Sequence, residues 1–430
     1  VTTPLSWLQC ICCGQTYDPL QRTSFRCDCG DLLSVEHDLE RVQQRAGDLR
    51  AVFDRRLGRL QPPLRSGVWR YHELILPDLP RQAIVSLPEG NTPLYRREAV
   101  ERHVGVRRLL IKHEGENPTL SFKDRGMTAG VSWARHAGAR TVACASTGDT
   151  SAAMACYAAA AGLPAVVLLP HDKVSAEQLV QPICYGARVL ALETDFDGCM
   201  AVVQQLSDSG EVYLLNSKNP LRIEGQKSIG FEVLHQLGWR LPDWFVIPVG
   251  NAGNISALGK GLGELKRLGL VHGVTRIAGV QSAAAAPLSR AFREGFRRRV
   301  RLRAGPTVAS AIRIGDPVSF EKARAVVQQF DGVVTEVSDE QALASKAVVD
   351  RAGVHVCPNS AVAVAGARRL RREGVIQPDE TLVVIATAHG GKFSGLALDY
   401  HTAASGEAAG RNPPRVVAPT LEAVREALGD

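Results

Sequence analysis

From about residue 90 onward the chain alternates two kinds of hydrophobic pattern. Short β-branched or apolar runs at 109–112, 141–145, 165–169, 189–192, 244–249, 276–280 and 381–385 read as buried strands. Between them, stretches at 126–136, 151–161, 175–185, 198–206, 225–237 and 255–268 read as helices. Strands alternating with helices of this length predict βαβ units: parallel sheets, doubly wound, with helices on both faces. Upstream, 36–90 is charged and punctuated by proline, with one helix expected over 38–56. The Gly-, Pro- and Ala-rich tail at 405–419 reads as a linker, and 421–428 as a short helix.

At 430 residues the chain is long enough for two or three domains. Composition sets off a Cys-rich segment at 1–36 and a linker with a short helix at 403–430; between them a large α/β domain at 37–140 and 220–402, with a smaller inserted α/β domain at 141–219, is expected. No apolar run approaches the ~20 residues of a membrane-spanning helix. The first residues lack the basic flank and apolar core of a signal peptide, so a cytoplasmic protein without a membrane partner is expected. Of ten cysteines, the later five stand singly in apolar surroundings, unlike a disulfide framework. The net charge of +7 includes Arg293, Arg297, Arg298, Arg299, Arg301 and Arg303. Such a cluster can bind phosphates or can simply be a solvated loop. Aromatic residues are not interleaved with these arginines in the repeated way that single-strand binders use to stack bases, and no nucleic-acid partner is expected.

Ligands of doubly wound sheets bind at the carboxyl ends of strands, where loops lead into helix starts. Five segments occupy such positions. Gly250-Asn251-Ala252-Gly253-Asn254 follows an apolar run and opens a helix; it can cradle a phosphate on free N–H groups or be a plain structural turn. Ser146-Thr147-Gly148-Asp149-Thr150 offers hydroxyls and a carboxylate, or a helix cap. Lys123 stands in NPTLSFKDRG at a loop-to-helix junction, where a lowered pKa would suit it to form an imine. Asn216, Ser217 and Arg222 make a second anion site plausible, since arginine clamps oxyanions with paired donors. Thr387 lies in ATAHGG after the strand at 381–385.

Taken in order, EGNTPL, NPT-x-SFKDRG, ASTGDTSAA, NS-x-NP-x-R-x-EGQK, GNAGNI and TAHG resemble the threonine synthase family, fold type II enzymes dependent on pyridoxal phosphate (PLP). The resemblance runs from about residue 87 to 400; Asp149, where many relatives carry Asn, is most similar to the plant-type branch. It implies a tryptophan synthase β-like fold, a homodimer, and conversion of O-phosphohomoserine and water to threonine and phosphate. It further implies that Lys123 carries PLP, Gly250 to Asn254 hold the cofactor phosphate, Asp149 lies near the ring phenolic oxygen and Thr387 faces the ring nitrogen. Asn216, Ser217 and Arg222 would bind the substrate phosphate, and Ser146, Thr147 and Thr150 its carboxylate and nearby groups. Leu120 departs from the family, which usually has Gly before SFKD. A related PLP lyase, or a β-replacement enzyme acting on O-phosphoserine, is the alternative.

Cys10-x-x-Cys13 and Cys27-x-Cys29 form two close pairs that can supply a tetrahedral thiolate site for structural zinc. Reduced structural cysteines or a degenerate ribbon are the other reading, and Cys12 is spare.

Overall fold

The computed structural model describes residues 3–22, 24–171, 176–402 and 411–429. At its start β1 (Ser6–Cys10) lies between β2 (Thr16–Tyr17) and β3 (Leu33–His37) in an antiparallel sheet. Buried and half-buried residues alternate along β1 and β3, the period-two pattern of strands with one face on a core. The single helix expected over 38–56 is two: α1 (Leu39–Ala46) and α2 (Leu49–Arg56). Gly47 turns the chain at φ 72°, and the Asp48 carboxylate then caps α2 by accepting from Ala51 N–H.

After the short α3 (His72–Ile75) come β4 (Leu94–Arg96), α4 (Glu98–Val104), β5 (Arg108–His113) and α5 (Lys123–His136). The chain continues through β6 (Val142–Ala145), α6 (Asp149–Ala161), β7 (Ala165–Pro170), α7 (Ala176–Cys184), β8 (Arg188–Leu192), α8 (Phe196–Asp208) and β9 (Tyr213–Leu214). These four strands form their own all-parallel sheet, in the order β8-β7-β6-β9.

The chain then returns through α9 (Leu221–Gln236), β10 (Trp244–Pro248), α10 (Gly253–Arg267), β11 (Arg276–Ser282), α11 (Pro287–Arg293) and α12 (Phe320–Gln329). Last come β12 (Val333–Val337), α13 (Asp339–Arg351), α14 (Pro358–Arg372), β13 (Thr381–Ala386), α15 (Ser394–Thr402) and α16 (Leu421–Gly429). The second sheet runs β12-β11-β10-β13-β5-β4, parallel throughout except for β4 at the edge. The α/β architecture with two parallel sheets is the one the alternating pattern predicts. Position 175 of the expected fourth helix, and 405–410 of the expected linker, lie outside the described residues.

Every residue of β10 is buried, as in a strand covered on both faces. α9 is buried over most of its length and packs on α5 without a spacer: a Cβ on Gly225 would fall 1.8 Å from the Arg125 carbonyl oxygen, so only glycine fits. The same contact holds a buried charge quartet. Arg125 and Lys112 meet Glu114 and Glu232, two cations for two carboxylates, all with side chains at most 1% exposed.

Candidate active site and cysteine cluster

The carboxyl ends of the strands gather one cavity. Phe122, Lys123, Asp149, Ser217, Arg222, Ile223, Gln226, Pro248, Gly250 to Asn254, Ala311, Ile312, Asn359 and Thr387 line it. Ser146, Thr147, Thr150 and Asn216 are not among these lining residues.

Lys123 is the first residue of α5, and the loop before it is stitched to the turn after β13. Phe122 N–H donates to Thr387 O at 2.9 Å, and His389 N–H to Leu120 O at 3.0 Å. Leu120 takes φ +64°, the left-handed conformation that glycine occupies without strain. The Lys123 amine lies 4.4 Å from the Phe122 ring centroid. Burial and then the Arg222 guanidinium push its pKa down to about 7, although Asp149 pulls the other way. Near neutral pH much of this amine is therefore unprotonated and nucleophilic.

The turn after β10 is shaped for an anion. Ala252 has φ +64°, and no side chain caps α10. A Cβ on Gly250 would fall 2.8 Å from Ile312 Cα, so the backbone runs where a larger residue would not fit. Asn254 is buried, yet neither its amide oxygen nor its amide nitrogen has a partner among the described residues. Unpaired buried polar atoms cost stability unless a ligand or water meets them.

Arg222, 3% exposed, gives one N–H to Leu215 O at 3.0 Å, while its buried Nε has no partner among the described residues. Burial draws its pKa down to about 10, still well above neutrality. The Asn216 amide is instead spent on the backbone, where its oxygen accepts from Ala145 N–H at 2.9 Å and its NH2 donates to Ala145 O at 2.8 Å. The Ser146 hydroxyl accepts from Gly148 N–H at 3.2 Å. Thr387 Oγ1 is 3.3 Å from Ser360 Oγ, which also accepts from Thr387 N–H at 2.8 Å. The lining therefore presents a neutral hydroxyl at Thr387, backed by a second at Ser360.

Several residues here escaped sequence reasoning. Gln226 and Asn359 line the cavity, and Ser360 and Arg125 hold its walls. Asn359 and Ser360 open α14, and the signal was available: Pro358 stands at the first helical position, where its missing N–H costs nothing.

The four cysteines Cys10, Cys13, Cys27 and Cys29 converge, their sulfurs all within 4.8 Å of one another. The pairs Cys10–Cys29 and Cys13–Cys27 are each 3.5 Å apart, and all four are free thiols. Four thiolates at ~2.3 Å from a tetrahedral zinc ion stand about 3.8 Å apart, so the cluster has that size. Cys12 N–H points at Cys10 Sγ at 3.4 Å, and Cys12 itself is exposed.

A depressed lysine amine beside an uncapped, glycine-rich helix start, at the carboxyl ends of a parallel sheet, defines the class of PLP-dependent enzymes. The chain matches the family model described as "Pyridoxal-phosphate dependent enzyme" over residues 85–388. It is 41% identical to threonine synthase 2, chloroplastic, of Arabidopsis thaliana, covering 95% of this chain and 81% of that protein. It is 42% identical to the threonine synthase of Methanocaldococcus jannaschii, covering 91% of this chain and 94% of that one. The chain belongs to the threonine synthase family of PLP-dependent enzymes. In fold it is similar to threonine synthase from Escherichia coli, with a TM-score of 0.68, 21% identity, and coverage of 98% of this chain and 99% of that one.

Proposed function

We propose that the cavity converts O-phospho-L-homoserine and water to L-threonine and phosphate. The observation that carries this reading is that Lys123 shares one cavity with two separate anion sites, the Gly250–Asn254 turn and Arg222. A phosphorylated cofactor and a phosphorylated substrate together require two such sites.

In this reading Lys123 would hold PLP, Gly250 to Asn254 would take its phosphate on backbone N–H groups and the Asn254 amide, and Asp149 and Thr387 would flank its ring with a carboxylate and a neutral hydroxyl. When bound, PLP supplies an electron sink for charge developing on the substrate carbons. The freed Lys123 amine, poised near pH 7, would take the α-proton and then a β-proton as phosphate leaves from the γ-carbon, return one to the γ-carbon, and give the other back to the α-carbon once water has added at the β-carbon. Arg222 and Ser217 bind the substrate phosphate, and the unpartnered Arg222 Nε has a hydrogen bond to give it. Ser146, Thr147 and Thr150 bind the substrate carboxylate side, with Asn216 bracing the loop on Ala145. The departing phosphate, kept on Arg222, takes the proton of the water that adds at the β-carbon.

The Cys10, Cys13, Cys27 and Cys29 cluster holds one structural zinc ion in the same proposal, supported by the convergence of four free thiols. The reading also takes the protein as a homodimer in the cytoplasm, without nucleic-acid or membrane partners; among the described residues no helix is long and apolar enough to cross a membrane.

The test incubates PLP-loaded protein separately with O-phosphohomoserine, O-phosphoserine and threonine, following phosphate and amino-acid products, with Lys123→Ala as control. Threonine and phosphate in equal amounts from O-phosphohomoserine alone support the proposal. Phosphate from O-phosphoserine alone moves the reaction to β-replacement, and turnover by Lys123→Ala removes Lys123 from its role.

A further inference from the structure

The cavity presents an electrostatic contradiction. Its expected guests are anions, and its walls carry Lys123 and Arg222, yet Asp149 places a carboxylate among them. A like charge facing an anionic guest in a partly desolvated wall disfavours binding. Something must offset it.

The candidate is Lys392, in the turn after β13 and absent from the cavity lining. Its ammonium lies 2.7 Å from Asp149 Oδ1 and donates to Thr119 O at 3.0 Å. The two side chains are only 9% and 13% exposed, so solvent screens the pair weakly. The contact also joins parts of the fold that arise separately. Asp149 opens α6, in the run of chain that builds the four-stranded sheet, whereas Thr119 and Lys392 sit on loops following β5 and β13 of the six-stranded sheet. Thr119 is itself pinned, its N–H donating to Asp124 at 2.7 Å just before the helix that starts with Lys123.

We infer that Lys392 is a positioning residue of the cofactor site: it neutralises Asp149 and fixes that carboxylate to the loop preceding Lys123, so that an acidic residue can stand in the wall of an anion-binding cavity. The inference rests on the proposed placement of Asp149 beside PLP. It assigns Lys392 an effect that depends on the charge at position 149, which a loop-packing role would not have.

The experiment is a double-mutant cycle on the apoprotein, titrating PLP near neutral pH and following the visible absorption band of the bound cofactor. Lys392→Met should weaken PLP binding about tenfold and shift the band, the coupling expected for a contacting buried pair. Lys392→Arg should stay within about threefold of wild type, because it keeps the charge. In the Asp149→Asn background, Lys392→Met should cost about threefold or less, because there is no longer a carboxylate to neutralise. If Lys392→Met does not fold, Lys392→Gln, which keeps hydrogen bonding but not charge, runs the same cycle. The inference is overturned if Lys392→Met binds like wild type, or if its loss is equally large with Asn at 149. Should Asp149→Asn instead be silent in both backgrounds, the placement of Asp149 beside the cofactor fails as well.

Discussion

Arg125 clasps Glu114 with two nitrogens, Nε at 2.6 Å from one carboxylate oxygen and Nη2 at 2.8 Å from the other, two residues beyond Lys123. Both side chains are fully buried, and Arg125 Nη2 also reaches Glu232 at 2.9 Å. The helix carrying Lys123 is thereby bolted to the turn after β5 and to α9 at its first turn. Arg125→Met leaves two buried carboxylates facing Lys112 alone. The expected cost is about 3–5 kcal/mol, read as a lower unfolding midpoint in chemical denaturation. An unchanged midpoint contradicts this account.

The same quartet makes stability depend on acid. Burial alone would raise the pKa of Glu232, but Arg125 and Lys112 draw it well below the ordinary carboxylate range. A carboxylate depressed on folding contributes stability that is present above its unfolded pKa of about 4.3 and is lost as pH falls below it. Glu232→Gln should therefore be less stable than wild type near pH 7, with the gap narrowing toward pH 3. A gap that stays constant over that range would separate the loss from the charge.

For Lys123 the shift predicts how the apoprotein takes up its cofactor. With the pKa lowered to about 7, the rate of covalent PLP loading should rise through neutrality and level off, where an ordinary lysine would keep rising toward about pH 10. Arg222→Gln removes a cation that lowers this pKa and should move the midpoint upward. Stopped-flow absorbance across pH reads both effects.

Arg222 should matter twice. With O-phosphohomoserine, Arg222→Gln is expected to lower kcat/KM by roughly a hundredfold, the scale of a lost charge-assisted contact to a phosphate. If the departing phosphate takes the proton from water, kcat falls too. A variant with raised KM and intact kcat would leave Arg222 as a binding residue only.

The cysteine cluster predicts one zinc ion per chain by elemental analysis, lost in Cys27→Ser together with part of the thermal stability. Wild-type protein containing no metal, or Cys27→Ser containing as much as wild type, would return the four thiols to a plain structural role.

Much of the cavity lining was legible because its residues sit where chemistry and backbone demand unusual types. Lys123 at a helix start, the glycines beside Asn254, and Arg222 after a strand all break the ordinary pattern of strand and helix. The elements that were missed lack such marks. β12 is short, VVTEV, and its burial does not alternate cleanly. α13 carried a capping box, Ser338 with Gln341, that a search for helix starts would have found. The helix expected over 38–56 failed at Gly47, whose positive-φ turn interrupts an otherwise continuous polar–apolar rhythm. Asn216 and Lys392 were unreadable for another reason. Whether an amide faces a ligand or Ala145, and which carboxylate a lysine meets, depends on pairings more than seventy residues apart in the chain.

Besides apolar packing, the antiparallel sheet at the start of the chain meets the body through two main-chain carbonyls and one imidazole. Lys322 Nζ donates to Leu33 O at 2.8 Å and Lys260 Nζ to Val35 O, while His37 Nε2 lies 2.8 Å from Glu224, two residues past Arg222. Glu224 in turn is shared with Lys227 and Lys260. A graft replacing this sheet with a foreign ribbon would have to supply two carbonyls and an imidazole at those places, whatever its own metal site. The cysteine segment is in this respect a fitted part of the molecule, matched to the body by backbone positions that its own sequence need not specify.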